Sequence, residues 1–137
     1  MNVSIMRGIP GSGKSTWVAD FKRYQGDLSK VIVCSADDFH YIDGKYQYSP
    51  ANAGLAHSTC LRKFANAITG VPRDVAIIVD NTNTTAAEIA PYYALALAYE
   101  VPVKIVRVGC DLQTAMERQT HGVPHSTMFV MWQNLNN

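Results

Sequence analysis

At 137 residues the chain has the length of one domain, residues 1–137, and is too short for two of ordinary size. Its 47% apolar content can fill a core, while a net charge of +1 excludes broad, sequence-independent coating of nucleic acid, which needs many phosphate contacts. A few residues could still grip one strand end. No apolar run approaches the ~20 residues of a membrane span, so no membrane partner is expected. The amino terminus enters a strand with no charged-then-apolar leader, which predicts a cytoplasmic protein. Cys34, Cys60 and Cys110 form no C-x-x-C pair, so buried, reduced thiols are expected and neither a disulfide framework nor a zinc site. Oligomeric state is left open.

Residues 3–6 (Val-Ser-Ile-Met) read as a short strand. They lead into Gly8-Ile9-Pro10-Gly11-Ser12-Gly13-Lys14-Ser15-Thr16, which fits G-x-x-x-x-G-K-[ST] at every fixed position. A nucleoside triphosphate is a flexible polyanion. Glycines let backbone N–H groups close around it, where a Cβ would block the approach. Lys14 adds a cation near the β- and γ-phosphates and Ser15 a hydroxyl for Mg²⁺. The helix that follows points its positive end at the same place. That helix is expected over 14–24, with Trp17, Val18 and Phe21 at helical spacing.

Val31–Cys34 does not alternate and reads as a second strand buried on both faces. It ends in Ser35-Ala36-Asp37-Asp38-Phe39-His40. Residues 41–50 are tyrosine-rich and predict a loop or short hairpin. A helix is expected over 51–69, with Leu55, Leu61, Phe64, Ala65 and Ile68 on one stripe and Gly70 and Pro72 stopping it. Residues 75–79 form the most apolar strand and should be central; they lead into Asp80-Asn81-Thr82-Asn83-Thr84. A helix over 85–100 is capped near Thr84 or Thr85, with Glu88 placed to bond back if Thr85 is the cap. A fourth strand (101–108), a short helix (112–119), a break at His121-Gly122-Val123-Pro124 and a last helix (124–135) complete the chain. Strands alternating with helices predict a three-layer α/β/α fold around a short parallel sheet of about four strands, with a small helical lid.

In open parallel sheets, ligands bind at the carboxyl ends of strands. Asp37 and Asp38 fall there, and being adjacent they point different ways. One can meet an acceptor hydroxyl as general base while the other meets metal, solvent or a helix end; either could instead simply cap the turn. Asp80 ends an apolar strand, as a Mg²⁺-holding aspartate does, and as an ordinary turn former also does. Asn81 and Asn83 could orient phosphates or acceptor, though asparagine also favours turns. Arg118, beside the Gly-Pro break, fits a lid arginine that neutralises a transferring phosphoryl group, or a solvated helix arginine. His121 in the break could assist or be plain polar surface. His57 reads as a packing histidine. The tyrosines at 41, 46 and 48 could stack on a base or cover the sheet edge.

Taken together, the loop through Trp17, Asp37-Asp38-Phe39, Asp80-Asn81-Thr82-Asn83, and Glu117-Arg118-Gln119 with Val123-Pro124 resemble the kinase domain of phage-type polynucleotide 5′-hydroxyl kinases. They also resemble the wider group of small P-loop kinase-like ATPases. The similarity runs in order along nearly the whole chain. It implies that Lys14 and Ser15 hold the donor phosphates and Mg²⁺, that Asp37 takes the proton of a 5′-hydroxyl, and that Arg118 is a lid arginine. Departures fall on the acceptor side. His40 stands where the kinase has an arginine for the acceptor's 3′-phosphate, Asn81 replaces an aspartate, and His121 replaces or follows the loss of a second lid arginine. The sequence ends after the kinase-like region, so no phosphatase domain is expected.

The expectation is an ATP- or GTP-dependent, Mg²⁺-requiring phosphotransferase whose acceptor is the 5′-hydroxyl of a polynucleotide or nucleotide. Catalysis falls to Asp37, Lys14 and Arg118. Gly8, Pro10, Gly11, Ser12, Gly13, Lys14, Ser15 and Thr16 take the nucleotide, Ser15 and Asp80 the metal. Asp38, His40, Asn81, Asn83 and His121 face the substrate. The alternatives are a kinase acting on a modified base, nucleoside or other small-molecule hydroxyl, and a non-kinase ATP-driven binding switch.

Overall fold

The computed structural model describes residues 1–70 and 73–136. Pro72, expected to help end the second helix, lies outside the described residues. The strands are β1 (Asn2–Arg7), β2 (Val31–Cys34), β5 (Ala76–Val79) and β6 (Val103–Arg107), with β3 (Tyr41–Ile42) and β4 (Lys45–Tyr46) forming a separate hairpin. The helices are α1 (Lys14–Gln25), α2 (Ala53–Thr69), α3 (Ala86–Ala98), α4 (Leu112–Arg118) and α5 (His125–Leu135).

The four main strands form one parallel sheet in the order β2-β5-β1-β6. β5 is buried at every position and sits inside the sheet, as its unbroken apolar run requires. β2 proves to be an edge strand: Val31, Ile32 and Val33 are half-buried and only Cys34 is buried. Its faces are covered, which explains the lack of alternation. Val31 and Val33 pack with Met6, Val18 and Ile78 on the α1 side, and Ile32 packs with the α2–α3 side. Its outer edge pairs with no other strand among the described residues.

The larger core lies between the sheet and α2 and α3, around Ile5, Phe64, Ile68, Ile77, Val79 and Tyr92. On α2 the buried stripe is Ala56, Cys60, Phe64 and Ile68. Leu55, expected on that stripe, is 52% exposed. Phe64 and Ile68 are buried as expected and Leu61 packs beside them; the strict four-residue spacing continues through the small residues Ala56 and Cys60 and leaves Leu55 outside. His57 is also exposed, not packed. On α3, Thr85 is the cap: its hydroxyl accepts from Glu88 N at 3.3 Å and donates to Glu88 Oε1 at 3.0 Å. A third small cluster joins Ile9, Ala115, Met128 and Leu135, and so packs α4 and α5 onto the glycine loop.

Candidate nucleotide and phosphoryl-transfer site

The loop between β1 and α1 is closed by its own backbone. Ser12 N donates to Ile9 O at 3.1 Å, and Gly8 N donates to Thr82 O at 3.0 Å, tying the loop to the segment after β5. Gly11 (φ +81°) and Gly13 (φ +110°) adopt left-handed conformations that L side chains avoid. At Gly11 a Cβ would run into the Ala115 carbonyl and lie 2.9 Å from Gln119 N, so α4 lies directly against the loop. Ser12 Oγ is buried and has no hydrogen-bond partner among the described residues. A buried polar atom of this kind is costly unless something completes it, and its place inside the loop fits a phosphate oxygen. Ser15 and Thr16 are exposed at the start of α1.

Lys14 folds back across the loop, its Nζ donating to Gly8 O at 2.8 Å and Ile9 O at 3.0 Å. Burial pushes its pKa down, against the pull of Asp80 and then Asp37, which favour the charge. Asp80, at the end of β5, is pushed up by burial, with Lys14 opposing and Asp37 and Asp38 adding. Lys14, Asp37 and Asp80 thus feel one another, although they come from three strand ends. Asp80 N donates to Cys34 O at 2.9 Å, which holds the β5 end against the β2 end. Among the described residues there is no cluster of three or more His, Cys, Asp or Glu that would hold a metal alone. A Mg²⁺ shared with nucleotide phosphates takes only part of its oxygen set from the protein, and Ser15 at the start of α1 and Asp80 just after β5 each carry a suitable oxygen.

Asp37 lies in the 3₁₀ turn Ala36–His40 and is half-exposed. Tyr46 Oη donates to its Oδ1 at 3.3 Å. His121 Nδ1 stands 3.6 Å from its Oδ2. The His121 ring is stacked on Tyr46 with centroids 3.9 Å apart and planes 12° off parallel. The lid break and the hairpin therefore meet over the carboxylate. Burial pushes the Tyr46 phenol up to about 12, with Asp37 contributing.

Other expected substrate-side residues have different placements. Asn83 is only 2% exposed, with φ +47°, and its Nδ2 donates to Met6 O at 2.8 Å. Its own carbonyl accepts from Arg7 Nε at 2.7 Å. Asn81 Oδ1 accepts from Ala36 N at 2.9 Å and its Nδ2 donates to Cys60 Sγ at 3.5 Å, so it braces the turn carrying Asp37. Both amides are spent inside the fold, where they satisfy backbone groups of other segments, Met6 O in β1 and Ala36 N after β2. His40 is 5% exposed, edge-on to Phe39, Tyr46 and Tyr48, and its Nδ1 has no partner among the described residues. Asp38 and Arg118 are exposed, and Arg118 has no hydrogen bond or ion pair among the described residues. Tyr46 was not singled out for contact with Asp37; the tyrosine-rich stretch was the signal, and the hairpin turn at Asp43 and Gly44, both at positive φ, is what delivers it. Cys34 and Cys60 are buried and Cys110 is half-buried, all free, and burial raises the Cys34 thiol to about 12. An open cleft of about 590 Å³ between α3 and β6 has none of Lys14, Asp37 or Asp80 in its lining.

Residues 3–123 match the family model described as AAA domain. NEDD4-binding protein 2 of Homo sapiens is 35% identical over 99 residues, covering 72% of this chain and 5% of that protein. A chain of the Pnkp1/Rnl/Hen1 RNA repair complex superposes with a TM-score of 0.76 at 20% identity, over 98% of this chain and 44% of that one. A gluconokinase from Sinorhizobium meliloti 1021 superposes at 0.63 and 14% identity, over 99% of this chain and 75% of that one. This chain therefore spans a small part of the human relative and less than half of the RNA repair chain.

Proposed function

This chain belongs to the AAA-domain family of P-loop kinases and ATPases, and from that premise we propose that it moves the γ-phosphoryl group of ATP to the 5′-hydroxyl of a polynucleotide or nucleotide. The observation that carries the proposal is the convergence of Lys14, Asp37 and Asp80 beside the glycine loop. The loop supports nucleotide binding through glycines at positive φ, the orphaned Ser12 hydroxyl and the helix start of α1.

In the proposed reaction the acceptor oxygen forms a bond to the γ-phosphorus. The bond from that phosphorus to the β–γ bridging oxygen breaks, and ADP leaves. The acceptor proton passes to the Asp37 carboxylate. In a loose transition state little base strength is needed, so positioning matters more than a shifted pKa. Lys14 holds phosphate oxygens within the loop. Arg118, at the end of α4, is the free cation of the lid and adds positive charge as the lid settles. Ser15 and Asp80 would hold Mg²⁺, which when bound neutralises charge on the β- and γ-phosphates.

Transfer of labelled γ-phosphate to 5′-hydroxyl DNA, RNA and nucleosides tests this. Asp37→Asn should lower transfer by roughly 10²–10⁴-fold, the usual share of general acid–base catalysis, while nucleotide binding stays within about twofold. Absence of label on every 5′-hydroxyl acceptor would overturn the acceptor assignment. A second reading has a specific observation behind it. His40 is buried among aromatic rings and is not presented to an acceptor phosphate, which favours a nucleoside or other small hydroxyl over a 3′-phosphorylated strand end. Label released only as inorganic phosphate would instead favour the nucleotide-driven switch.

A further inference from the structure

The Asp37 carboxylate is met from two sides by groups of one kind. Tyr46 reaches Oδ1 with its hydroxyl. His121 presents Nδ1 to Oδ2 while its ring lies flat on Tyr46, 3.9 Å between centroids. The two rings differ in how firmly they are held. Tyr46 sits on the hairpin strand β4, with Tyr41 edge-on at 5.4 Å and His40 edge-on at 5.9 Å. His40 is itself buried. Tyr46 is therefore a braced ring with one broad face turned to the lid. His121 belongs to the break between α4 and α5, beside Gly122 at φ +68°. The bonds that shape this break run between Gln119 and Val123, with Val123 N donating to Gln119 Oε1 at 3.0 Å, and among the described residues the His121 ring nitrogens make no hydrogen bond, only the 3.6 Å approach to Asp37.

His121 thus shows what fits here: a planar ring on the Tyr46 face that carries a polar group to the carboxylate. A hydroxyl arriving at Oδ2 from the lid side competes with His121, and displacing it uncovers the Tyr46 face. We propose that the acceptor bears a nucleobase that takes the place of the His121 ring on Tyr46, and that this stack, not a phosphate contact, aims the hydroxyl at Asp37. The inference rests on the phosphotransferase function proposed above and assigns the specificity of that same site. Tyr46 is the specificity-determining residue and His121 the displaceable cover. Among the described residues no lysine or arginine bonds to Tyr46 or Asp37, which agrees with recognition of a ring and not of an anion.

The test compares two acceptors: a 5′-hydroxyl oligonucleotide with its first base present, and the same strand with an abasic first sugar. One stacked base on an aromatic ring is worth roughly 5- to 100-fold, so kcat/KM should favour the base-bearing strand by that factor. Tyr46→Leu should abolish the preference: measured against Tyr46→Phe, which lacks the same hydroxyl, it should raise KM for the base-bearing strand and leave KM for the abasic strand within about twofold. Tyr46→Phe keeps the ring and should keep the preference; any loss from the missing hydroxyl falls equally on both strands. His121→Ala should lower KM for the base-bearing strand. Equal kcat/KM for the two strands in the wild type overturns the inference while leaving the kinase function standing. So does a Tyr46→Leu loss that is the same for both strands, which is what a merely structural role predicts. Transfer to neither strand would overturn the proposed function and the inference with it.

Discussion

Substituting Gly11 by alanine tests the packing of the lid helix on the phosphate loop. Two costs apply. The residue sits at φ +81°, where an L side chain is strained by roughly 1–2 kcal/mol. Its Cβ would also collide with the Ala115 carbonyl and approach Gln119 N to 2.9 Å. Both are backbone atoms of the α4 region and cannot rotate away, so α4 or the loop must shift, at about 1–3 kcal/mol for overpacking of this kind. Gly26 supplies the control. It has nearly the same φ, +78°, but nothing within 4 Å of its Cβ position, so Gly26→Ala should cost only the strain. Urea unfolding of both variants should separate them by about 1–3 kcal/mol. Titration with a fluorescent ATP analogue should show a weakened nucleotide site in Gly11→Ala alone. If Gly11→Ala were as mild as Gly26→Ala in both assays, α4 would not bear on the loop, and a lid pressed onto the phosphates would lose its basis.

Lys14→Ala should reduce nucleotide affinity by roughly 10- to 100-fold, the value of a charge-assisted hydrogen bond, and lower the thermal midpoint only modestly, since the Gly8 and Ile9 carbonyls lose a donor while burial already disfavours the Lys14 charge. Binding calorimetry and a thermal melt check the two halves separately. Asn83→Ala should destabilise by about 1–3 kcal/mol, because the Met6 carbonyl loses a buried donor; chemical unfolding with an unchanged midpoint would contradict the internal role given to this amide. Tyr46 has a folded pKa raised from 10.0 to about 12. Its contribution to stability is therefore complete below pH 10 and fades as pH climbs toward 12. Absorbance titration of the phenols should show late ionisation of both Tyr46 and the buried Tyr92, and Tyr46→Phe should remove one of these two late groups.

Much of this was legible along the chain. The glycine loop is a local device whose φ values and backbone closure depend on Gly8, Gly11, Gly13 and Lys14 themselves, so it could be read residue by residue. Four apolar strands and five helices were also readable, since unbroken apolar runs such as 75–79 and caps such as Thr85 with Glu88 act within a few residues. The side-chain assignments after β5 were less legible. Asn81 and Asn83 share a strand end with Asp80, and short range alone puts all three at the substrate. Whether an amide turns outward or inward depends on which buried partners lack a bond, here Ala36 N, Cys60 Sγ and Met6 O, each far away in sequence.

The same division applies to the whole molecule. Sequence by itself determined the class of fold, the nucleotide loop and the polar strand ends, because periodicity, glycine and capping chemistry act between near neighbours. Tertiary structure alone decided that β2 lies at an edge, that the buried stripe of α2 runs through Ala56 and Cys60, and that His40 is enclosed. It also brought Tyr46 and His121 together over Asp37, across 75 residues in one case and 84 in the other, counted as 121 minus 46 and 121 minus 37. Such contacts depend on how the lid and hairpin pack on the sheet, and packing is a sum over residues that no local pattern encodes.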